Sequence, residues 1–201
     1  AERRGTVDVI ERMRQECSVA ALQMEIQCEF GLRPREVVML KPLSADQGHM
    51  LFVTDGTKGG RARMVPIDDP RKRELIERAK EIARGNARGI LSDKPSRTLQ
   101  KALTHYYYLA RKVGVCRADL GVTLHGLRHE YANRLFKDLT GFDSPVNGGR
   151  VPASVAGVAM QRVSEDLGHG RKHAAAAYLG SVRHMDYHTY QSIKALIAKL
   201  E

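Results

Sequence analysis

The stretch LGHGRKHAAAAYLGS, residues 167–181, sets a histidine between two glycines and a tyrosine nine positions after it. The first glycine is expected to end one helix and the second to begin the next turn, which leaves His169 exposed at the corner between them. The alanine run 174–177 forms helix readily and has little bulk, so another surface can approach it closely. Tyr178 then lies near the end of a short helix, either as a core residue or as a group presented for chemistry.

The charge of the chain favours a polyanionic partner. Lys and Arg number 33 against 23 Asp and Glu, which gives a formal net charge of +10 spread over both halves of the sequence. Such a surface suits nucleic acid better than a membrane, because no basic amphipathic helix with an aromatic face is present. Aromatic residues make up only 5% and tryptophan is absent. This composition argues against base stacking on single strands and favours contacts with the phosphates of a duplex.

Targeting signals are not evident in the sequence. No apolar run approaches the roughly 20 residues of a membrane span, and the N-terminus lacks the apolar core of a signal peptide. The cysteines, Cys17, Cys28 and Cys116, are odd in number and far apart, as expected of reduced structural thiols in a cytosolic protein.

The periodicity of apolar residues predicts a mainly α-helical chain with one small antiparallel β-sheet. The sheet is predicted from HMLFV (49–53) and RARMVPI (61–67), which are joined by the Gly-rich connection TDGTKGG. Residues 138–152 hold several turn formers, so they are predicted to form a loop whose length suggests function or mobility. Helices are predicted over residues 7–30, 34–41, 70–83, 96–113, 124–139, 153–167, 171–179 and 187–200.

Arg33 stands in FGLRPREVVML, where one helix is predicted to stop and another to begin. Gly31 suits a left-handed cap, and Pro34 suits the first turn of the next helix. A guanidinium at such a junction lies beside unpaired helix N–H groups, and both favour an anion. Alternatively, Arg33 caps carbonyls of the preceding helix. Glu36 either orients Arg33 through an ion pair or is an ordinary first-turn acid.

Three further polar side chains are candidates for chemistry. Lys58 lies at the tip of the Gly-flanked hairpin, where it either reaches a ligand and donates a proton or remains a solvated turn residue. In TLHGLRHEYANRL, His125 and Arg128 are three positions apart and so share one helix face. A partly covered arginine needs an anion, which is either a ligand or a nearby acid such as Glu165 or Asp166.

Together these residues have the chemistry of phosphoryl transfer. Arginines bind the non-bridging oxygens of a phosphodiester, histidines move protons, and a lysine protonates a leaving oxygen. A tyrosine attacks phosphorus and forms a covalent ester that conserves the bond for later rejoining. No metal or cofactor is expected, and a metal-dependent nuclease would need clustered acids. The helical pairs His169/His173 and His184/His188 offer zinc no obvious third ligand.

The sequence resembles the catalytic domain of the tyrosine recombinases, also called phage integrases, over about residues 7–199. GLRPREVVML is similar to the family's first arginine box and TKGGRARMVPI to its β-hairpin lysine segment. HGLRH is similar to its His-x-x-Arg box, and LGHGRKHAAAAY to its closing box. The resemblance implies the fold of that catalytic domain. It also implies a catalytic set, supported by Glu36, that consists of Arg33, Lys58, His125, Arg128, His169 and the nucleophile Tyr178.

In that family the tyrosine attacks one DNA strand, forms a 3′-phosphotyrosine and releases a 5′-hydroxyl, which then attacks a partner strand. The lysine is the general acid for the leaving hydroxyl. The resemblance therefore implies a site-specific DNA recombinase or integrase that acts on double-stranded DNA without a metal or cofactor. A type IB topoisomerase shares this chemistry but reseals the same strand. A DNA-binding module would keep the fold without catalysis, and the presence of all six residues favours the enzyme.

The resemblance also implies how the chain is organised. Residues 1–201 would form a single catalytic domain, a fragment without the family's N-terminal DNA-clamping domain. The full-length protein would assemble on DNA as a tetramer in the cytoplasm, associated with the nucleoid, whereas this chain alone would be monomeric. Residues 138–152 lengthen the interval between the two histidine boxes beyond the family's pattern. Residues 187–200 are a candidate helix for exchange between protomers, the alternative being a helix folded back on its own domain.

Overall fold

Helices and a β-hairpin make up the computed structural model of this protein, which describes residues 2–169 and 172–181. The chain folds as two units, residues 1–131 and residues 132–201. The helices are α1 (Glu2–Glu16), α2 (Ser18–Phe30), α3 (Pro34–Met39), α4 (Pro42–Ala45), α5 (Pro70–Arg84), α6 (Leu99–Lys112), α7 (Leu124–Thr140), α8 (Ala153–Asp166) and α9 (Ala176–Leu179). The strands are β1 (Met50–Val53) and β2 (Arg63–Pro66). The predicted class, mainly α with a small antiparallel sheet, is confirmed.

The first two helices meet at Cys17, where the sequence predicted one continuous helix over 7–30. Cys17 is extended, with φ −162° and ψ 110°, and its Sγ accepts a hydrogen bond from the amide of Ala20 at 3.4 Å. The residue therefore caps α2, although cysteine is not a usual N-cap, and the prediction was wrong at this point. The end of the second helix was predicted well, because Gly31 adopts a left-handed φ of 61° after Phe30.

The hairpin pairs β1 with β2 in antiparallel register, with Val53 opposite Arg63. Leu51 and Val65, which pair with each other, are buried on the inner face, whereas the next residue of each strand toward the connection is exposed, as the period of two in a strand requires. Arg63 occupies an inward position of this pattern and is itself buried. The predicted sheet is confirmed, with each strand shorter than predicted.

The core of the first unit gathers apolar side chains from α1, α2, α5, α6, both strands and the start of α7. One polar residue at its centre is Gln27 of α2, which is fully buried. Its Nε2 donates to the carbonyl of Leu124, and its Oε1 accepts from the hydroxyl of Tyr106 at 3.0 Å. A buried amide paired on both sides joins α2 to α6 and to the first residue of α7. These bonds fix the start of the helix that carries His125.

The second unit contains the end of α7, the long connection, α8 and α9. The connection, predicted as a loop over 138–152, begins after Thr140 and includes a 3₁₀ turn at Pro145–Asn147. Gly168 follows α8 with a left-handed φ of 69°, as predicted for the end of that helix.

The helix predicted over 171–179 is confirmed in its last turn and wrong over residues 172–175. Lys172–Ala175 form a 3₁₀ turn, and one α-helical turn, α9, follows. The predicted helix over 187–200 lies outside the described residues. Within the described part of the chain, no helix combines the length and apolarity needed to cross a membrane.

Candidate active site

The first candidate arginine lies at a corner between two helices. Gly31 ends α2, Arg33 has an extended backbone with φ −75° and ψ 153°, and Pro34 begins α3. The side chain of Arg33 is 17% exposed, and its Nη1 lies 2.7 Å from Oε1 of Glu36. The amide of Arg33 donates to Oε2 of the same carboxylate at 2.7 Å. Of the two alternatives for Glu36, the structure therefore has the ion pair that orients Arg33.

A second arginine, which the sequence did not predict, completes the surroundings of Glu36. Nη1 and Nη2 of Arg63 each lie 2.8 Å from one oxygen of this carboxylate. Burial raises the pKa of Glu36, but the hydrogen bonds and charge of Arg63, followed by the amide and charge of Arg33, outweigh it. The pKa of Glu36 therefore lies below its ordinary value, and the group is ionised at neutral pH. The signal in the sequence was the inward position of Arg63 in the strand pattern.

Arg128 is more deeply placed than the partly covered side chain that the sequence predicted. It is completely buried, and its Nη1 donates to the carbonyl of Gly31. The ring of Tyr131, one turn further along α7, lies against the same glycine: a Cβ added to Gly31 would stand 2.4 Å from Cδ1 of that ring. Gly31 thus supports both arginines, since it turns the chain toward Arg33 and binds Arg128 through its carbonyl.

His125 lies on α7, three residues before Arg128. Partial burial of its ring, then the charge of Arg128, then that of Arg33, lower the pKa of His125. The ring of His129 meets it edge to face, with centroids 5.2 Å apart and planes at 76°. Burial and then the neighbouring His125 and Arg128 lower the pKa of His129 as well. Both imidazoles therefore favour the neutral form, which can accept a proton.

The sequence singled out His125 but not His129 as a candidate. The spacing of four residues between them was the available signal, because it sets both rings on one helix face.

Lys58 begins the 3₁₀ turn Lys58–Gly60 that connects the two strands. Gly59 and Gly60 both have positive φ, 71° and 68°, so this turn depends on residues without a Cβ. The side chain of Lys58 lies outside what the structure describes, and its assignment as general acid stays a prediction.

The second unit brings His169 and Tyr178 together. Nε2 of His169 lies 3.4 Å from the hydroxyl oxygen of Tyr178, and the two rings are 5.9 Å apart at 45°. Ser164 fixes the corner, because its hydroxyl donates to the carbonyl of His169 at 3.0 Å and its carbonyl accepts from the amide of His169 at 2.8 Å. His169 is partly buried, although the sequence predicted an exposed residue. Tyr178 is only 7% exposed.

The long connection contacts the segment that carries this tyrosine. Nδ2 of Asn133 lies 3.4 Å from the carbonyl oxygen of Tyr178, and Ser144 is hydrogen-bonded to the same asparagine. A Cβ added to Gly180 would stand 2.9 Å from the backbone nitrogen of Val146. The connection is therefore packed at the end of α9.

The predicted site residues form two clusters, one in each unit. Arg33, Glu36, His125 and Arg128 lie together in the first unit, and His169 and Tyr178 lie together in the second. Across residues 2–169 and 172–181 there is no group of three or more His, Cys, Asp or Glu side chains arranged to hold a metal ion. The pair His184/His188 lies outside the described residues.

Comparison with known families identifies the class. The family model described as Integrase matches residues 3–134, well over half of the chain, so the chain belongs to the integrase family. Comparison with curated protein sequences gave no match.

Solved structures with the same fold include a lambda integrase dimer bound to a COC′ core site, with a TM-score of 0.60 and 18% identity over 89% of this chain. XerA recombinase matches with a TM-score of 0.59 and 18% identity over 93% of this chain. The Tn1549 transposon integrase in complex with transposon right end DNA matches with a TM-score of 0.55 and 15% identity over 90% of this chain. The matches cover 46%, 62% and 58% of those three chains. The predicted fold, that of a tyrosine recombinase catalytic domain, is confirmed.

Proposed function

We propose that this chain is the catalytic domain of a site-specific DNA recombinase that cuts and rejoins strands through a 3′-phosphotyrosine. The observation that carries the proposal is the cationic cluster of the first unit. Arg33 and Arg128 come from distant parts of the sequence, yet Arg128 donates to the carbonyl of Gly31, two residues before Arg33. The charges of both arginines also lower the pKa of His125. Two guanidinium groups and an imidazole match the non-bridging oxygens of one phosphodiester. Membership of the integrase family and the recombinase fold support the same reaction.

In the first step the hydroxyl oxygen of Tyr178 attacks phosphorus, and the bond from phosphorus to the 5′-oxygen breaks. His169, whose Nε2 lies 3.4 Å from that hydroxyl, is the candidate acceptor of its proton. Lys58 gives a proton to the departing 5′-oxygen. In the second step the 5′-hydroxyl of a partner strand attacks the phosphotyrosine and the phenol leaves with a proton. Because Tyr178 and Arg128 are both buried, we expect DNA binding to expose the hydroxyl of Tyr178 and the guanidinium of Arg128 to the phosphate.

The substrate of this reaction is double-stranded DNA. A net charge of +10 suits its phosphates, and two of the structures with this fold were determined with DNA sites bound. We further propose that the full-length protein assembles on DNA as a tetramer and acts in the cytoplasm, at the nucleoid. Residues 1–201 are proposed to act as a single catalytic domain, within which residues 187–200 provide the helix exchanged between protomers.

The proposal is tested by trapping the covalent intermediate. A pool of nicked duplexes with a randomised segment is incubated with the chain, and protein–DNA adducts are separated under denaturing conditions. The nick lets the short cleaved strand diffuse away, so the phosphotyrosine accumulates. We expect an adduct with the wild type and with the control Tyr108→Phe, whose side chain is exposed, and none with Tyr178→Phe. An adduct of wild-type yield from Tyr178→Phe would contradict the assignment.

The role of Lys58 is tested on a duplex whose scissile 5′-oxygen is replaced by sulfur. A thiolate leaves without a proton, so Lys58→Ala should cleave this duplex at close to the wild-type rate while it cleaves the oxygen substrate slowly. Equal impairment on both substrates would exclude Lys58 as the acid.

Joining of strands from two different duplexes distinguishes a recombinase from a topoisomerase, which relaxes a plasmid but reseals the same strand.

A further inference from the structure

A buried carboxylate with two guanidinium partners forms part of the first cluster. Oε1 of Glu36 accepts from Nη1 of Arg33 at 2.7 Å and from Nη1 of Arg63 at 2.8 Å. Oε2 accepts from the amide of Arg33 at 2.7 Å and from Nη2 of Arg63 at 2.8 Å. Arg63 therefore binds the carboxylate in a bidentate manner, through two parallel hydrogen bonds, which is the strongest geometry for an arginine–carboxylate pair.

The charges of this cluster do not cancel. One carboxylate and two guanidinium groups leave a single positive charge, whereas Glu36 and Arg33 alone would form a neutral pair. Without Arg63, two of the four hydrogen bonds to Glu36 would be lost, and the guanidinium of Arg33 would be the remaining cation for it. An Arg33 held by the whole carboxylate would offer a DNA phosphate little net charge.

We infer that Arg63 is a positioning residue for strand cleavage. It binds both carboxylate oxygens of Glu36, so that Arg33 keeps its orientation and its positive charge for the scissile phosphate. This inference rests on the proposed function. It adds a residue of β2 whose part in cleavage is to act through Glu36. Because Arg63 lies in β2 and Glu36 in α3, their ion pair also connects the strand that follows Lys58 to helix α3.

Stability alone does not account for such a cluster. Buried ion pairs are often replaced by apolar residues of similar volume without loss of stability, because removing charges from water is costly. A second carboxylate of the first unit, Asp46, provides a comparison. It binds Arg73 at 2.6 Å and also Lys80, so this carboxylate too has two cationic partners. Neither partner is a candidate catalytic residue. Arg73→Met is therefore a control for the loss of one of two cationic partners of a buried carboxylate, although Arg73 is 36% exposed against 4% for Arg63.

The test measures the single-turnover rate of adduct formation by the 201-residue chain, on a nicked duplex recovered from the randomised pool. Removing an electrostatic contribution to the transition state typically costs about 100-fold in rate, and we expect a loss of that order for Arg63→Met. The double variant Glu36→Gln/Arg63→Met removes the carboxylate charge as well and should cleave about tenfold faster than Arg63→Met. Arg73→Met should cleave at the wild-type rate.

A pH profile separates this role from a structural one. In Arg63→Met the carboxylate loses its strongest partner, so its pKa rises, and acidification should protonate Glu36 and release Arg33. The rate of Arg63→Met relative to wild type should therefore increase as the pH falls from about 8 to about 5.5, whereas the ratio for the double variant should stay constant. A general loss of structure would move neither ratio in this way.

Several results would overturn the inference. If the wild type forms an adduct and Arg63→Met forms it as fast, Arg63 has no part in cleavage while the proposed function stands. If the double variant is no faster than Arg63→Met and the pH ratio is flat, the charge of Glu36 is not the cause. If the wild type forms no adduct, the proposed function fails and the inference fails with it.

Arg63→Lys keeps the test decisive if the methionine variant does not fold. It retains the charge with a weaker geometry and should cleave within about tenfold of wild type. If Arg63→Lys folds but its cleavage rate falls by about 100-fold, as expected for Arg63→Met, the charge of Arg63 is not what supports cleavage.

Discussion

Substituting Gly31 by alanine should damage both the fold and the candidate site. The residue has a φ of 61°, and an added Cβ would stand 2.4 Å from Cδ1, 2.8 Å from Cε1 and 2.9 Å from Cγ of Tyr131. A left-handed alanine costs about 1–2 kcal/mol. Forcing a buried ring to move costs about 1–3 kcal/mol more. The expected loss of unfolding free energy is thus about 2–5 kcal/mol, or a melting temperature lower by about 4–20 °C for a chain of this size.

Gly48→Ala provides the control for this substitution. Gly48 also has a positive φ, 78°, but no atom lies within 4 Å of an added Cβ. It should therefore show the backbone cost alone, about 1–2 kcal/mol. Urea and thermal unfolding of the two variants give the difference that belongs to the contact with Tyr131. If Gly31→Ala loses no more stability than Gly48→Ala, the ring does not lie over Gly31, and the anchoring of Arg128 on the Gly31 carbonyl is called into question.

Two further predictions concern the first unit. His125 and His129 have lowered pKa values in the folded chain. As the pH falls below the ordinary value of 6.5, the unfolded chain therefore takes up protons before the folded chain does, and the free energy of unfolding decreases. The double variant His125→Gln/His129→Gln should flatten the urea midpoint against pH in this window, and an unchanged slope would show that other groups cause it. Tyr106→Phe leaves Oε1 of Gln27 without its hydroxyl donor and should cost about 1–3 kcal/mol in urea unfolding. A loss below about 0.5 kcal/mol would mean that the amide finds another donor.

Sequence reasoning succeeded where the signal was local. The junction at Gly31 and Pro34 was predicted because a left-handed glycine ends helices and proline suits a first helical turn. The hairpin was predicted from alternating residues around a Gly-rich connection. The approach of Arg33 to the helix that carries His125 and Arg128 depends on packing between distant segments, and only the resemblance to a family suggested it in advance.

Three features of the structure were not predicted from the sequence, each for a physical reason. Arg63 was overlooked because its inward position is favourable only with Glu36 as a partner, 27 residues away in sequence. The break at Cys17 depends on a sulfur acceptor, which helix propensities do not register. Residues 172–175 form a 3₁₀ turn although alanine favours the α-helix, because a segment this short gains little from helix cooperativity.

Identifying the amino acid that carries the DNA tests the central claim most directly. The adduct trapped on a nicked duplex is digested with a protease and a nuclease, and the peptide that retains a nucleotide is sequenced by mass spectrometry. A phosphodiester on Tyr178, in the peptide that follows Lys172, is the expected result. Attachment at Tyr187, at Tyr190 or at any serine would mean that the pair of His169 and Tyr178 does not deliver the nucleophile.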